Sequence, residues 1–304
     1  MERTSGQSAW NQRFRRAVRV DSKNLLRCVI ATALVSSSAC APRASSPGTG
    51  GNAAGSQIPD SGFFNVDGDP RRPGGAAWAF RGVVDGVRYD LTGVLVVPGG
   101  GGPFPAVVLS HGSGGSARMI MNEVGLTMAG WGFVCIAVDY THAVGVPSGA
   151  PGSRSETGAS RANVLRAHMT RQLLRRLPYV DNARVAAHGH SLGAYLQVAW
   201  LATYREDVRV ASHTGGGVRP PGSRIVPAPT VEEARRLTVP YQLHHGSADE
   251  TVPVSWDERL AGVLREDHVP SALYVYDGGH LAPRSNPLMF ERVRAWYAMN
   301  GVSP

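Results

Sequence analysis

The segment Ala183–Thr203, ARVAAHGHSLGAYLQVAWLAT, changes its periodicity at one residue. Arg184–His188 is short and apolar and follows the turn signal Asp181-Asn182, as expected of a strand buried in a mostly parallel sheet. Beyond it, Leu192, Leu196, Ala199 and Thr203 recur at helical spacing, flanked by Tyr195 and Trp200. Between the two lies Gly189-His190-Ser191-Leu192-Gly193, a G-x-S-x-G. In a chain with 37 glycines the pattern alone is weak, but its place between a strand and a helix gives it content. A serine on such a turn is lifted above the sheet edge in a strained conformation. The helix that begins there aims free N–H groups and its positive dipole end at whatever reacts with the serine.

Trp78–Val84 and Val87–Val97 alternate apolar and polar residues around Asp85-Gly86, which predicts two antiparallel edge strands with the fold starting near Phe63. Buried strands are predicted at Ala106–Leu109, Phe133–Val138, Val208–Ala211, Tyr241–His244 and Leu273–Tyr276. A helix is expected over Ala159–Leu177, with Ala162, Leu165, Met169 and Leu173 inward and Arg161, Arg166, Arg171 and Arg175 solvated. A last helix is expected over Pro287–Asn300. Thr141–Thr157 reads as a loop bordering a cleft, and Thr214–Leu237 as an irregular segment able to form a small cap. Strands alternating with helices imply an α/β fold with a doubly wound, mostly parallel sheet, whose ligand crevice lies at the carboxyl ends of the strands.

Three carboxyl-end loops offer the residue types of acyl transfer. Ser191 follows one strand, His245-Gly246-Ser247-Ala248-Asp249-Glu250-Thr251-Val252-Pro253 another, and Asp277-Gly278-Gly279-His280 the last. A serine hydroxyl is a poor nucleophile at neutral pH, so a histidine must take its proton and a carboxylate must fix that histidine's tautomer. His280 is the candidate base and Asp249 the candidate acid, with Asp139 as runner-up. Glu250 points elsewhere, and Asp277 reads as a turn residue. The chain order Ser, Asp, His is that of an α/β-hydrolase triad.

Ser110-His111-Gly112-Ser113-Gly114-Gly115 brings backbone close to a ligand directly after a strand. It fits neither phosphate-binding glycine pattern, which favours an oxyanion hole made by the N–H groups of Leu192 and Ser113. His111 and His190 read as supporting groups and His213 as cleft-lining. The pairs His188/His190 and His244/His245 lack the grouping of a metal site, so no metal or other cofactor is expected. Cys135 reads as a core residue.

The residues from about Phe63 onward resemble the α/β-hydrolase superfamily, and within it the dienelactone-hydrolase-like and cutinase-like esterases. The resemblance rests on S-H-G-S-G-G at 110–115, G-H-S-L-G at 189–193, H-G-S-A-D-E-T-V-P at 245–253 and G-G-H at 278–280. It implies a central sheet with helices on both faces and hydrolysis of a small-molecule or polymeric carboxylic ester. True dienelactone hydrolases carry a cysteine where this chain has Ser191, which argues against that particular activity. Acyl transfer and peptide hydrolysis use the same triad, and a cell-surface binding protein with an idle triad is the reading from a different class.

The formal net charge of +8 does not point to nucleic acid, because residues 1–40 hold seven basic and two acidic side chains and the arginines elsewhere are scattered. That leader, basic and then apolar from Cys28 to Val35, reads as an export signal, and Ser-Ser-Ala-Cys ending at Cys40 resembles a lipoprotein signal. Residues 41–60, rich in Pro, Gly and Ser, read as a flexible tether before a hydrolase domain at 61–304. The expected destination is outside the cytoplasm, with Cys40 as candidate lipid attachment to a membrane. Mass spectrometry of the protein from its native host should show residues 1–39 removed; an intact leader refutes export.

Overall fold

The computed structural model describes residues 62–84, 87–143, 157–223 and 228–304. The leader, the tether, the Asp85-Gly86 turn and residues 144–156 of the cleft loop lie outside them. Nine strands among the described residues form one sheet: β1 (Phe63–Asp67), β2 (Ala76–Val84), β3 (Val87–Val96), β4 (Phe104–Ser110), β5 (Val134–Val138), β6 (Val180–His190), β7 (Val210–Thr214), β8 (Tyr241–Gly246) and β9 (Ser271–Tyr276). Their order is β1-β2-β3-β5-β4-β6-β7-β8-β9. Strands β1 to β3 are antiparallel and β3 joins β5 antiparallel, whereas β5, β4, β6, β7, β8 and β9 run parallel.

The helices are α1 (Ala117–Ile120), continued through a π-helical turn (Met121–Gly125) into α2 (Leu126–Gly130), then α3 (Arg161–Leu174), α4 (Leu192–Thr203), α5 (Val231–Ala234), α6 (Ser255–Glu266) and α7 (Pro287–Met299). The strand period of two sorts the apolar residues into two cores. Val107, Leu109, Cys135 and Ala137 pack with α1, α2 and α7, while Ala106, Val108, Val134, Ile136 and Val138 pack with α3, α4 and α6. Both faces of the sheet are thus covered, in the layout of an α/β-hydrolase fold.

The structure corrects several expectations. The hairpin strands β2 and β3 are internal, because β1 adds an outer edge; only Phe64 and Val66 of FFNVD turn inward, too short an alternation to read. The Asp181-Asn182 turn signal sits inside β6 as a bulge, where Phe104 pairs with Val180 but Ala106 with Val185. The seventh strand runs two residues later than expected at its start and includes Ser212, His213 and Thr214. These polar residues tolerate burial because His188 bonds Ser212 and His190 bonds Thr214, each at 2.8 Å, and Tyr297 meets Ser212 at 2.7 Å. The expected helix 159–177 is shorter, at Arg161–Leu174. Arg166 and Arg171 on it are each 2% exposed rather than solvated. Arg171 donates to the Asn182 side chain and carbonyl at 3.0 Å each and to the Asp207 carbonyl, and Arg166 donates to the Asp139 carbonyl at 3.3 Å. Acceptors supplied by Asp139, Asn182 and Asp207, not amphipathic spacing, decide which way these arginines face.

Asn163 on α3 fastens both ends of the cleft loop: its carbonyl accepts from Thr141 N at 3.0 Å and its amide donates to Gly158 O at 3.2 Å. No helix among the described residues is long and apolar enough to cross a membrane.

Burial holds five histidines neutral. It pushes His111 down to about 4, partly offset by the Gly112 carbonyl, and His142 and His188 down to about 3, with neighbouring positive groups adding to the effect. His190 and His244 are carried well below the ordinary value by the same desolvation. In the unfolded chain these rings bind protons near an ordinary value of about 6.5, so below that pH unfolding takes up protons and stability falls as pH falls, each ring contributing up to about 1.4 kcal/mol per pH unit. The urea midpoint should therefore drop between about pH 7 and pH 5, with calorimetry showing net proton uptake on unfolding at about pH 5. An unchanged midpoint with no uptake refutes the neutral assignment.

Candidate active site

Ser191 joins β6 to α4 with φ 55 and ψ −120, a backbone conformation that side-chain-bearing residues rarely hold. Its N–H donates to the Thr214 carbonyl at the end of β7, 3.0 Å away, which pins the elbow to the neighbouring strand. The close packing beneath it requires Gly193: a Cβ there would stand 2.1 Å from the Ser110 carbonyl oxygen. At an ordinary helix start a serine turns its oxygen onto the first-turn N–H groups, but the Ser191 side chain makes no such bond. Its hydroxyl stays available, 8% of the residue being exposed.

The loop after β4 comes up beside the elbow. A Cβ on Gly112 would stand 3.1 Å from Ser191 Cβ, and Gly112 and Gly115 close a turn by a 3.1 Å backbone hydrogen bond. Ser113 and Gly114 are the exposed residues of that turn. Leu192 is the first residue of α4, where a helical N–H has no carbonyl one turn back to bond. The β4 loop that carries Ser113 and the α4 start that carries Leu192 thus both lie against the serine.

Asp249 and His280 arrive from the loops after β8 and β9, which are tied together by Ser247 N to Tyr276 O at 2.7 Å and Ala248 N to Gly278 O at 2.8 Å. Asp249 Oδ2 meets His280 Nδ1 at 2.7 Å, while Oδ1 accepts from the Thr251 and Val252 N–H groups at 2.9 Å each. A carboxylate so held fixes the imidazole with its proton on Nδ1 and its Nε2 free to accept. Gly215, directly after the Thr214 that pins Ser191, backs this pair: at φ 60, a Cβ there would stand 2.8 Å from His280 Cε1. The His280 ring lies 4.9 Å from that of His190, the residue preceding the serine. Among the described residues no hydrogen bond joins Ser191 Oγ to His280. Without substrate such contacts are often long and tighten on binding.

The other sequence candidates fall elsewhere. Asp139 is taken up by Ala117 N at 2.8 Å and by the Thr92 hydroxyl at 2.9 Å, so the runner-up acid caps α1 instead. Glu250 and Asp277 are exposed. His111 is buried, accepting from Tyr140 N on Nε2 at 3.2 Å and donating from Nδ1 to Gly112 O at 2.9 Å, which braces the β4 loop. His213 does not line a cleft: it is fully buried, 2.7 Å from Asp257 and 3.1 Å from the Tyr241 hydroxyl. His244 is engaged by Tyr276 and Gln242 at 2.7 and 2.9 Å. Among the described residues no three His, Cys, Asp or Glu side chains are grouped to hold a metal ion. Cys135 is buried, and burial alone pushes its thiol far up.

Sequence reading missed Asp257, which sits on α6 outside any motif and contacts both His213 and His245 at 2.7 Å. Nothing in the local sequence marks it, because the contacts come from the packing of α6 on β7 and β8.

Residues 91–283, well over half of the chain, match the dienelactone hydrolase family. Among curated protein sequences none matches. A 2,6-dihydroxy-pseudo-oxynicotine hydrolase structure is similar at 20% identity, with a TM-score of 0.57 over 74% of this chain and 70% of that one. A cold-adapted esterase from an Arctic intertidal metagenomic library is similar at 18% identity and a TM-score of 0.58, over 75% of this chain and 94% of that one. A puromycin-hydrolyzing peptidase of Mycobacterium tuberculosis is similar at 18% identity and a TM-score of 0.58, over 80% of this chain but only 46% of that one. These likenesses establish the α/β-hydrolase fold, and with the match over residues 91–283 the chain belongs to the dienelactone hydrolase family.

Proposed function

We propose that the chain is a cofactor-free serine hydrolase of carboxylic esters. The observation that carries this reading is the 2.7 Å Asp249–His280 pair, packed against Gly215, one residue from the carbonyl that fixes Ser191 in its strained turn. Support comes from three residues distant in sequence that share the carboxyl edge of the sheet, two of them hydrogen-bonded to each other and the third on a strained turn, the layout that acyl transfer uses. Ser191 Oγ attacks the ester carbonyl while its proton passes to His280 Nε2. The negative oxygen of the tetrahedral intermediate is received by the N–H groups of Leu192 and Ser113. The intermediate collapses, the alcohol leaves with the proton from His280, and an acyl-serine remains. Water then repeats the sequence, giving its proton to His280 and releasing the acid and free Ser191.

The serine in place of cysteine directs the proposal to esters in general rather than to dienelactones, and the esterase among the similar structures supports it. Export by residues 1–40, with lipid at Cys40, belongs to the same proposal and would bring the enzyme to small or polymeric esters outside the cytoplasm.

A fluorophosphonate should label the wild-type protein at Ser191, and Ser191→Ala should remove labelling and turnover down to a residual of about 10³ to 10⁴ over water while the protein stays folded. Near-normal turnover in the folded variant sinks the mechanism. Asp249→Asn should cost about 10⁴ in kcat, whereas Asp139→Asn, which keeps the oxygen that accepts from Ala117 N, should leave kcat close to wild type; the reverse pattern identifies Asp139 as the acid. A rate panel of esters of graded chain length, with an amide and a polyester, should rank esters first and be indifferent to a chelator.

A further inference from the structure

Behind the Asp249–His280 pair the buried polar groups continue. His245 Nε2 lies 2.8 Å from the Val252 carbonyl and 3.1 Å from Asp249 Oδ2. A carbonyl only accepts, so Nε2 carries a proton. The opposite nitrogen, Nδ1, is 2.7 Å from Asp257 Oδ2, and the side chains of His245, Asp249 and Asp257 are all 0% exposed. Asp257 Oδ1 receives His213 Nε2 at 2.7 Å, and His213 Nδ1 meets the Tyr241 hydroxyl, which accepts from Gln197 at 2.8 Å. Asp249 Oδ2 thus faces two imidazoles, His280 from the cleft side and His245 from the core side.

We propose that His245 and Asp257 are positioning residues for the triad: His245 is a doubly protonated imidazolium that clamps Asp249 from behind, and Asp257 keeps it charged and oriented. The proposal rests on the serine-hydrolase reading above. The groups facing His245 are Asp249 on the loop after β8, with His280 beyond it, and Asp257 on α6, with His213 beyond it. Tyr195 on α4 packs against Trp256 and is pushed up by burial and by both carboxylate charges. Burial by itself would lower His245, but the hydrogen bond and charge of Asp257 outweigh it and raise it; burial would raise Asp257, but the adjacent histidines bring it down to about 2. Both directions favour the ion pair over a neutral one.

The clamp has a definite task. Two backbone N–H groups already fix Asp249 Oδ1, and His245 fixes Oδ2, so the carboxylate cannot turn away from His280 as positive charge appears there during proton transfer. Two carboxylates against one cation leave the buried group with one net negative charge, which the imidazolium formed at His280 then neutralises. A lone Asp249 against a charged His245 would offer no net charge to do so.

The test uses the full-length protein. Asp257→Asn and His245→Gln should each lower kcat on the order of tenfold with KM nearly unchanged, counted per fluorophosphonate-reactive serine, and the double variant should be no worse than either single one because the two act as a unit. In nitrogen-15 NMR at about pH 8, well above the range where an ordinary imidazole titrates, His245 of the wild type should show protons on both ring nitrogens, and Asp257→Asn should leave one. Variants with a lower Tm but unaltered kcat per reactive serine overturn the proposal and leave the serine-hydrolase reading standing. A singly protonated His245 in the wild type overturns it even if no variant folds. A wild-type protein that takes up no fluorophosphonate at Ser191 overturns both.

Discussion

Ser191 must be held at a positive φ, and the carboxyl edge of the sheet is built to hold it. A non-glycine residue in this region costs on the order of 1 to 3 kcal/mol and persists only where its surroundings leave no alternative. Here the alternatives are closed one by one. The Ser191 N–H is committed to the Thr214 carbonyl, the absent side chain of Gly193 lets α4 start directly against the end of β4, and α4 is buried from Gly193 to Ala202. A helix packed on every side cannot roll to relax its first residue. The rigidity of Ser191 is therefore a property of the core, transmitted through α4, rather than of the turn by itself.

The same edge collects an unusual load of buried polar groups. Histidines 111, 188, 190, 213, 244 and 245 all lie near the carboxyl ends of parallel strands, where the sheet meets the loops that approach Ser191. Most are neutral and committed to hydroxyls or carbonyls, so each cross-links two strands or a strand and a loop. Only around Asp257 does the network carry charge, and there carboxylates and imidazoles alternate in a line from the core to His280. Fully partnered, such a line specifies one arrangement of the loops after β8 and β9; partly partnered, it would destabilise the edge it organises.

Much of this was legible in the sequence because the relevant signals are local. The change of period at Ser191, the buried strand feeding Ser110–Gly115 and the Asp and His of successive loops depend on neighbours in the chain, and the structure brings Asp249 to His280 accordingly. What the sequence concealed depends on partners far along the chain. Arg166 and Arg171 have the spacing of a solvated face, but Asp139, Asn182 and Asp207 supply acceptors beneath α3. Ser212, His213 and Thr214 look too polar for a buried strand until their partners from β6, α6 and α7 are in place. Asp257 is invisible for the same reason. Its meaning lies in two histidines on two other strands.

Asn163 fixes both ends of the cleft segment with one side chain. By joining Thr141 to Gly158 through one side chain, it makes the two mouths of the intervening segment neighbours that stay put whatever runs between them. Closing a loop of any length between fixed ends changes the entropy only slowly with length, by about 0.6 kcal/mol per doubling. A change in the length of that segment therefore need not disturb the sheet. One amide thus uncouples the length of the segment from the position of its two ends.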